Sequence, residues 1–192
     1  MSVVAYIGLG SNIGQGRETL RTAWMRLGSH AKISLEKLSS PYLSSPVDMQ
    51  SDNWFTNAVG MIETALAPVD LLQVLLTIEA SLGRVRETSA DGYQDRVLDM
   101  DLLFYGDTVI NTPELTLPHP RVQDRMFVLQ PLQELTADFV HPTTKQPIKK
   151  MLGQLTDRLQ REPEENRQEI HKTVWERQED GLISAKSLSF HP

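Results

Sequence analysis

The chain has 192 residues, 40% of them hydrophobic and 23% charged, which suits one globular domain with a full core, or such a domain plus an appendage. A net charge of -6 argues against a general nucleic-acid or membrane-surface binder, and the absence of cysteine excludes disulfides, thiolate metal sites and cysteine nucleophiles. The N-terminal run meets Gly8 and Gly10 too soon for a signal peptide and lacks a basic flank; no apolar stretch approaches the roughly 20 residues of a membrane span, so a cytoplasmic location is expected.

In chain order, Val3 to Ile7 reads as a buried strand ended by a loop at Gly8-Leu9-Gly10-Ser11-Asn12. The loop matches neither standard phosphate-binding glycine pattern. Leu20, Ala23, Trp24 and Leu27 fall at helical spacing and predict an amphipathic helix over 17–27, closed by Gly28. A strand follows at Ile33 to Leu38, and then a long polar connection from Ser39 to Asn53, of a length that is usually functional or disordered.

Trp54 to Glu63 predicts another strand, in which Phe55 and Asn57 share a face. A ring beside an amide suits a flat heterocycle; the alternative is an aromatic on the core with an asparagine in a turn. Pro68 opens and Gly83 closes a helix carrying Leu71, Leu72, Leu75, Ile78 and Leu82. Glu79 borders that stripe, so it either reaches into water or meets a cation, with Arg84, Arg86 and Arg96 nearby. The polar stretch between Arg86 and Arg96 suits a loop that closes over a ligand.

The run from Arg96 to Tyr105 is a strongly apolar strand interrupted by Asp99 and Asp101. Residues two apart in a strand point the same way, so the two carboxylates repel unless a cation such as Mg²⁺ lies between them. The alternative is a strand with one solvated face. Gly106-Asp107 predicts a turn, with Thr108 to Ile110 as the returning strand of a hairpin. His119, held between Pro118 and Pro120, suits phosphate contact or an ordinary surface turn, and a helix follows with Arg125, Phe127 and Leu129.

The blocks Tyr6 to Asn12, Phe55 to Val59, Ile78 to Arg86, Arg96 to Leu103, and Pro118 to Arg121 with Arg125 to Leu129 resemble, in order and spacing, those of the 6-hydroxymethyl-7,8-dihydropterin pyrophosphokinase family. The resemblance spans residues 3 to about 145, and Arg-x-Leu-Asp-x-Asp with Pro-His downstream is its most specific part. It implies an α+β, ferredoxin-like fold, an antiparallel sheet with helices packed on it. It also implies transfer of pyrophosphate from ATP to the pterin hydroxymethyl oxygen, giving AMP.

By the same resemblance Asp99 and Asp101 hold two Mg²⁺ ions. Ser44, Pro46, Val47, Phe55, Asn57 and Phe127 form the pterin pocket, and Glu79, Arg84, Arg96, Thr116, His119 and Arg125 contact ATP, with Arg84 and Arg96 counted with the aspartates as catalytic. Asp101 is a candidate acceptor for the hydroxyl proton, although a metal-lowered hydroxyl pKa makes a dedicated base unnecessary. ATP and the pterin are the expected partners, without nucleic acid or membrane, and nothing in the pattern specifies an oligomer.

Residues 1–150 are expected to be the catalytic domain and 151–192 a charged extension, helical or partly disordered. Residues 158–180 carry 12 charged positions, with Ile170, Val174 and Trp175 as a slight apolar stripe that could dock on the body. Many family members carry Arg-Trp-Gly-Pro-Arg before the aspartates, where this chain has Asp91-Gly92-Tyr93-Gln94-Asp95-Arg96. One basic residue is missing and two acids stand beside a polyanion site, so turnover below that of a typical member is expected. A catalytically weak pterin- or nucleotide-binding paralogue is one rival, and a ferredoxin-like RNA module, which the acidic charge disfavours, is the other. If Tyr93 serves as the lid aromatic, Tyr93→Ala lowers turnover in a steady-state AMP-release assay; ordinary turnover removes that role.

Overall fold

The computed structural model describes residues 2–47, 51–84, 95–164 and 167–175. The readings made for Arg86 and Tyr93 lie outside the described residues. In chain order the elements are β1 (Val3–Ser11), α1 (Gly16–Gly28), β2 (Ile33–Leu38), β3 (Tyr42–Ser44), β4 (Phe55–Thr64), α2 (Pro68–Ser81), β5 (Asp99–Tyr105), β6 (Ile110–Asn111), β7 (Thr116–Leu117), a 3₁₀ turn (Val122–Asp124), α3 (Met126–Thr136), α4 (Ile148–Arg161) and β8 (Ile170–Lys172).

One antiparallel sheet runs β5-β1-β4-β3-β8, with β2 on the same edge of β4 as β3 but farther along it. The units β1-α1-β2 and β4-α2-β5 therefore interleave as β5-β1-β4-β2, the α+β ferredoxin-like arrangement. Helices cover both faces. Ala5, Ile7 and Leu9 of β1 pack with Leu20 and Leu27 of α1 and Leu71 and Leu75 of α2, whereas Tyr6 packs with Leu129 and Leu132 of α3 and Met151 and Leu155 of α4. Period-two alternation in one strand thus feeds two cores, and neither face is solvated along its length. Among the described residues no helix is long and apolar enough to cross a membrane.

Strand β5 departs from strict alternation, with consequences for the site. Its pairing with β1 shifts register, from Leu102 opposite Ile7 to Phe104 opposite Tyr6, so Leu103 is an extra, bulged residue. Leu103 and Phe104 both join the α3–α4 core, while Met100 and Leu102 face α1 and α2. Below the bulge, Asp99 and Asp101 share the face of Leu103 and look toward the start of α3.

Several expected elements differ in extent or partner. Gly8 and Gly10 lie inside β1 rather than in a loop after it, because both residues pair with β4 and β5. The connection from Ser39 to Asn53 contains β3, too short to carry a periodic signal. No hairpin returns on β5: β6 pairs with β7 in a separate two-stranded sheet. The boundary at 150/151 falls inside α4, and Ile170–Lys172, expected to be helical or disordered, is an edge strand on β3.

Phe104 is fully buried where Tyr6 (6.1 Å, edge-on), Phe139 (5.0 Å) and His141 (5.4 Å) meet it. Phe104→Ala is expected to cost about 3–5 kcal/mol and to lower the thermal midpoint by about 10 °C, measurable by circular dichroism.

Candidate active site

The cap of α2 builds one end of the site. Gly83 adopts φ +92°, a left-handed conformation suited to glycine, and the chain turns back so that the Arg84 amide donates to the Glu79 carbonyl (3.1 Å) and the Gly83 amide to that of Ala80 (3.2 Å). This double closure directs the Arg84 side chain over the last turn of α2. Its Nη1 donates to Glu79 Oε1 (2.5 Å) and to Asp99 Oδ1. Glu79, 1% exposed, also accepts the Met100 amide at 2.7 Å. Its acid is therefore neither an outward reach into water nor an orphan: it ties the end of α2 to the first residues of β5.

The two aspartates occupy different electrostatic surroundings. Asp99 is held by two guanidiniums, Arg84 on Oδ1 and Arg96 on Oδ2 (3.0 Å). Burial alone would lower the Arg84 pKa, but Asp99 and Glu79 outweigh it and the net shift is upward. Asp101 is held less closely: Arg125 Nη1 and His119 Nε2 each stand 3.9 Å from its Oδ2, the outer limit of an ion pair. Burial and the charge of Asp99 push the Asp101 carboxyl well above the usual carboxylate range, with Arg125 and Arg96 only partly opposing. His119 cannot make up the deficit, since burial and Arg125 push its imidazole down to about 4 and leave it neutral near pH 7.

In front of the aspartates lies a cleft of about 610 Å³, counting the solvent open to it. Gly8 and Gly10 form its floor, paired with Asp101 and Asp99 on one side and with Val59 and Asn57 on the other. Two residues without side chains, at spacing two on this face, leave open the space that larger residues would fill. Ser44, Ser45, Val47, Phe55 and Asn57 line one wall, Arg125, Phe127 and Val128 the other, and Arg96 stands beside the aspartates. The Asn57 amide donates to Ser44 Oγ (2.9 Å, buried), which orients it, while the Arg96 guanidinium lies 5.7 Å from the Phe55 ring centre and that of Arg125 5.4 Å from Phe127.

Of the residues singled out from sequence, Ser44, Val47, Phe55, Asn57, Arg96, Asp99, Asp101, Arg125 and Phe127 line this one cleft. Glu79 and Arg84 sit directly behind Asp99, and His119 beside Asp101, anchored by its amide on the Leu103 carbonyl (2.9 Å). Pro46 lies between two lining residues without lining the cleft itself. Thr116 opens β7, in the small separate sheet, and does not line the cleft.

Sequence reasoning missed the glycine floor, whose signal was glycine at alternate positions in an otherwise apolar strand. It also misjudged Asp95. That carboxylate accepts from Asn12 Nδ2 (2.6 Å), Ser51 Oγ (2.6 Å) and Asn53 Nδ2 (2.7 Å), and the Arg96 amide donates to Asn12 Oδ1 (2.7 Å). The hydrogen bond from Ser51, aided by those from Asn12 and Asn53, holds the Asp95 pKa down despite some desolvation. Asp95 is thus the knot of three chain segments rather than a bare charge facing a polyanion.

Residues 6–137 match the model of the 7,8-dihydro-6-hydroxymethylpterin-pyrophosphokinase (HPPK) family. The chain belongs to that family. The Bacillus subtilis 2-amino-4-hydroxy-6-hydroxymethyldihydropteridine pyrophosphokinase is 41% identical over 135 residues, covering 70% of this chain and 79% of the relative. The Haemophilus influenzae protein of the same name is 38% identical, covering 81% and 94%. The Schizosaccharomyces pombe folic acid synthesis protein fol1, 38% identical over 152 residues, is far longer: the match covers 79% of this chain and 20% of fol1. Among solved structures, Plasmodium falciparum HPPK-DHPS A437G with pteroate superposes with a TM-score of 0.68 at 13% identity, covering 90% of this chain and 46% of that one, a likeness of fold.

The chain therefore carries two acids side by side, one held closely by two guanidiniums and one with its nearest arginine at 3.9 Å. Replacing Glu79 removes one of the two carboxylates that hold Arg84. Glu79→Leu leaves the Met100 amide without its acceptor and Arg84 with one carboxylate fewer, and is expected to cost about 3 kcal/mol in urea unfolding.

Proposed function

We propose that the chain transfers the terminal diphosphate of ATP to the hydroxymethyl oxygen of 6-hydroxymethyl-7,8-dihydropterin. The new bond joins that oxygen to the β-phosphorus, the bond from the β-phosphorus to the oxygen bridging it to the α-phosphorus breaks, and AMP departs with the bridging oxygen. The observation that carries this reading is the pair Asp99 and Asp101 on one sheet face at the edge of a cleft lined by Phe55, Asn57 and Phe127.

The pterin ring fits between the two aromatic walls, with Asn57, oriented by Ser44, reading its edge. Ser44, Pro46 and Val47 complete that end. The triphosphate falls toward the cations: Arg84, Arg96 and Arg125 balance its charge, and His119, neutral, offers a hydrogen bond rather than a charge. Glu79 holds Arg84 from behind, and Thr116 belongs to the nucleotide side by resemblance alone.

The donor set suits magnesium. Among the described residues there is no group of three or more metal-ligating side chains, and Mg²⁺ is usually held by one or two carboxylates with phosphates and water completing its shell. The placement of Asp101 beside Asp99 on one sheet face, with Arg125 no nearer than 3.9 Å, supports a cation there. Asp99 and Asp101 would hold two Mg²⁺ ions, which would neutralise the phosphates and lower the hydroxyl pKa. The chain itself aligns the hydroxyl with the β-phosphorus and keeps guanidiniums on the oxygens where charge accumulates. We also assign it to the cytoplasm.

Purified protein with ATP, Mg²⁺ and the pterin is expected to release AMP in step with pterin diphosphate, and EDTA should stop it until Mg²⁺ is restored. Asp101→Asn should lower turnover by about 10²–10³-fold, the scale of losing one charge-stabilising group; full turnover in that variant would sink the assignment.

A further inference from the structure

The family model ends at residue 137, yet residues 167–175 reach back to both walls of the cleft. The wall carrying Arg125 and Phe127 is the first turn of α3, and a helix start leaves backbone N–H groups without intrahelical partners. Arg125, at the N-cap in extended conformation, provides no side-chain cap. Gln168 provides one from far along the chain. Its Oε1 accepts the Met126 amide at 2.9 Å and its Nε2 donates to the Asp124 carbonyl at 2.7 Å. Both ends of the amide are matched, so its orientation is fixed and it clamps the turn between the 3₁₀ segment and α3.

The next residue grips the opposite wall. The Ser45 amide donates to the Glu169 carbonyl and the Glu169 amide to Ser45 Oγ, both at 3.0 Å. Ile170 then pairs with Ser44 as β8 begins, and Lys172 Nζ reaches Glu134 (3.1 Å), which also accepts from Tyr42 OH. His171 stacks on Trp54, the residue before Phe55 (5.5 Å, 21°). This short segment thus touches each stretch of chain that presents a wall of the aromatic end: β3, the start of β4 and the start of α3.

We propose that Gln168 is a positioning residue for the aromatic, pterin-binding end of the cleft, acting through α3 to set Phe127 against the β3 wall. The proposal rests on the function assigned above. Since Gln168 and Glu169 contact this end and not the Glu79–Arg84–Asp99 cluster, the effect falls on the pterin more than on the nucleotide.

The test uses the full chain with Gln168→Ala and Gln168→Glu; the second keeps an acceptor for the Met126 amide but loses the donor toward Asp124. Calorimetry would measure 6-hydroxymethyl-7,8-dihydropterin and, separately, a non-hydrolysable ATP analogue with Mg²⁺. Gln168→Ala should raise the pterin Kd by about fivefold, the loss expected for a helix cap that the ligand site depends on, with the analogue's Kd within about twofold and Gln168→Glu intermediate. Pterin affinity unchanged in both variants, or equal weakening of both ligands, overturns the proposal. In the unsubstituted chain the Met126 amide should be protected from hydrogen exchange; rapid exchange there overturns it even if neither variant folds. Failure of the unsubstituted protein to bind the pterin would instead strike the functional reading itself, and this proposal with it.

Discussion

The site depends on an imbalance between two neighbouring carboxylates. Asp99 and Asp101 share a sheet face, but two guanidiniums hold Asp99 closely, whereas Arg125 stands 3.9 Å from Asp101. Like charges at this spacing must be compensated or one must take up a proton, and burial shifts Asp101 toward protonation. An entering cation removes that conflict. The charge of Asp101 is thus compensated less closely than that of Asp99, two residues away on the same face.

This imbalance is set by backbone geometry distant from the carboxylates. The left-handed turn at Gly83 aims Arg84 at Asp99, the bulge at Leu103 restores Phe104 to the aromatic core without rotating Asp99 and Asp101 off their face, and Gly8 with Gly10 keeps the space before them open. Each is a local departure from regular structure. A sheet with unbroken alternation and side chains at every position would keep the aspartates but close their cleft.

What could be read in advance divides along the range of the interactions. The helical stripe from Leu71 to Leu82, the same-face placement of Asp99 and Asp101 and the pairing of Phe55 with Asn57 are properties of neighbouring residues, and the structure contains all three. Glu79 was legible only as a choice between water and a cation, because its partners Arg84 and Met100 are brought to it by the cap and by β5. Three-residue strands such as β3 and β8 leave no periodic trace; their pairing comes from edges that β4 and then β3 offer. Asp95 looked repulsive because its three donors come from Asn12, Ser51 and Asn53, 42 to 83 residues away in sequence.

Net charge is a poor guide to what the cleft accepts. The chain carries six more acids than bases, yet Arg84, Arg96 and Arg125 converge within the same region, while the surplus acids are distributed over the rest of the chain. Screening limits exposed charges to a range of about 8–10 Å at physiological ionic strength. The potential inside the cleft is therefore set by those arginines together with Glu79, Asp99 and Asp101 rather than by the overall balance. Net charge and local potential are therefore separate quantities, and only the second acts on a group inside the cleft.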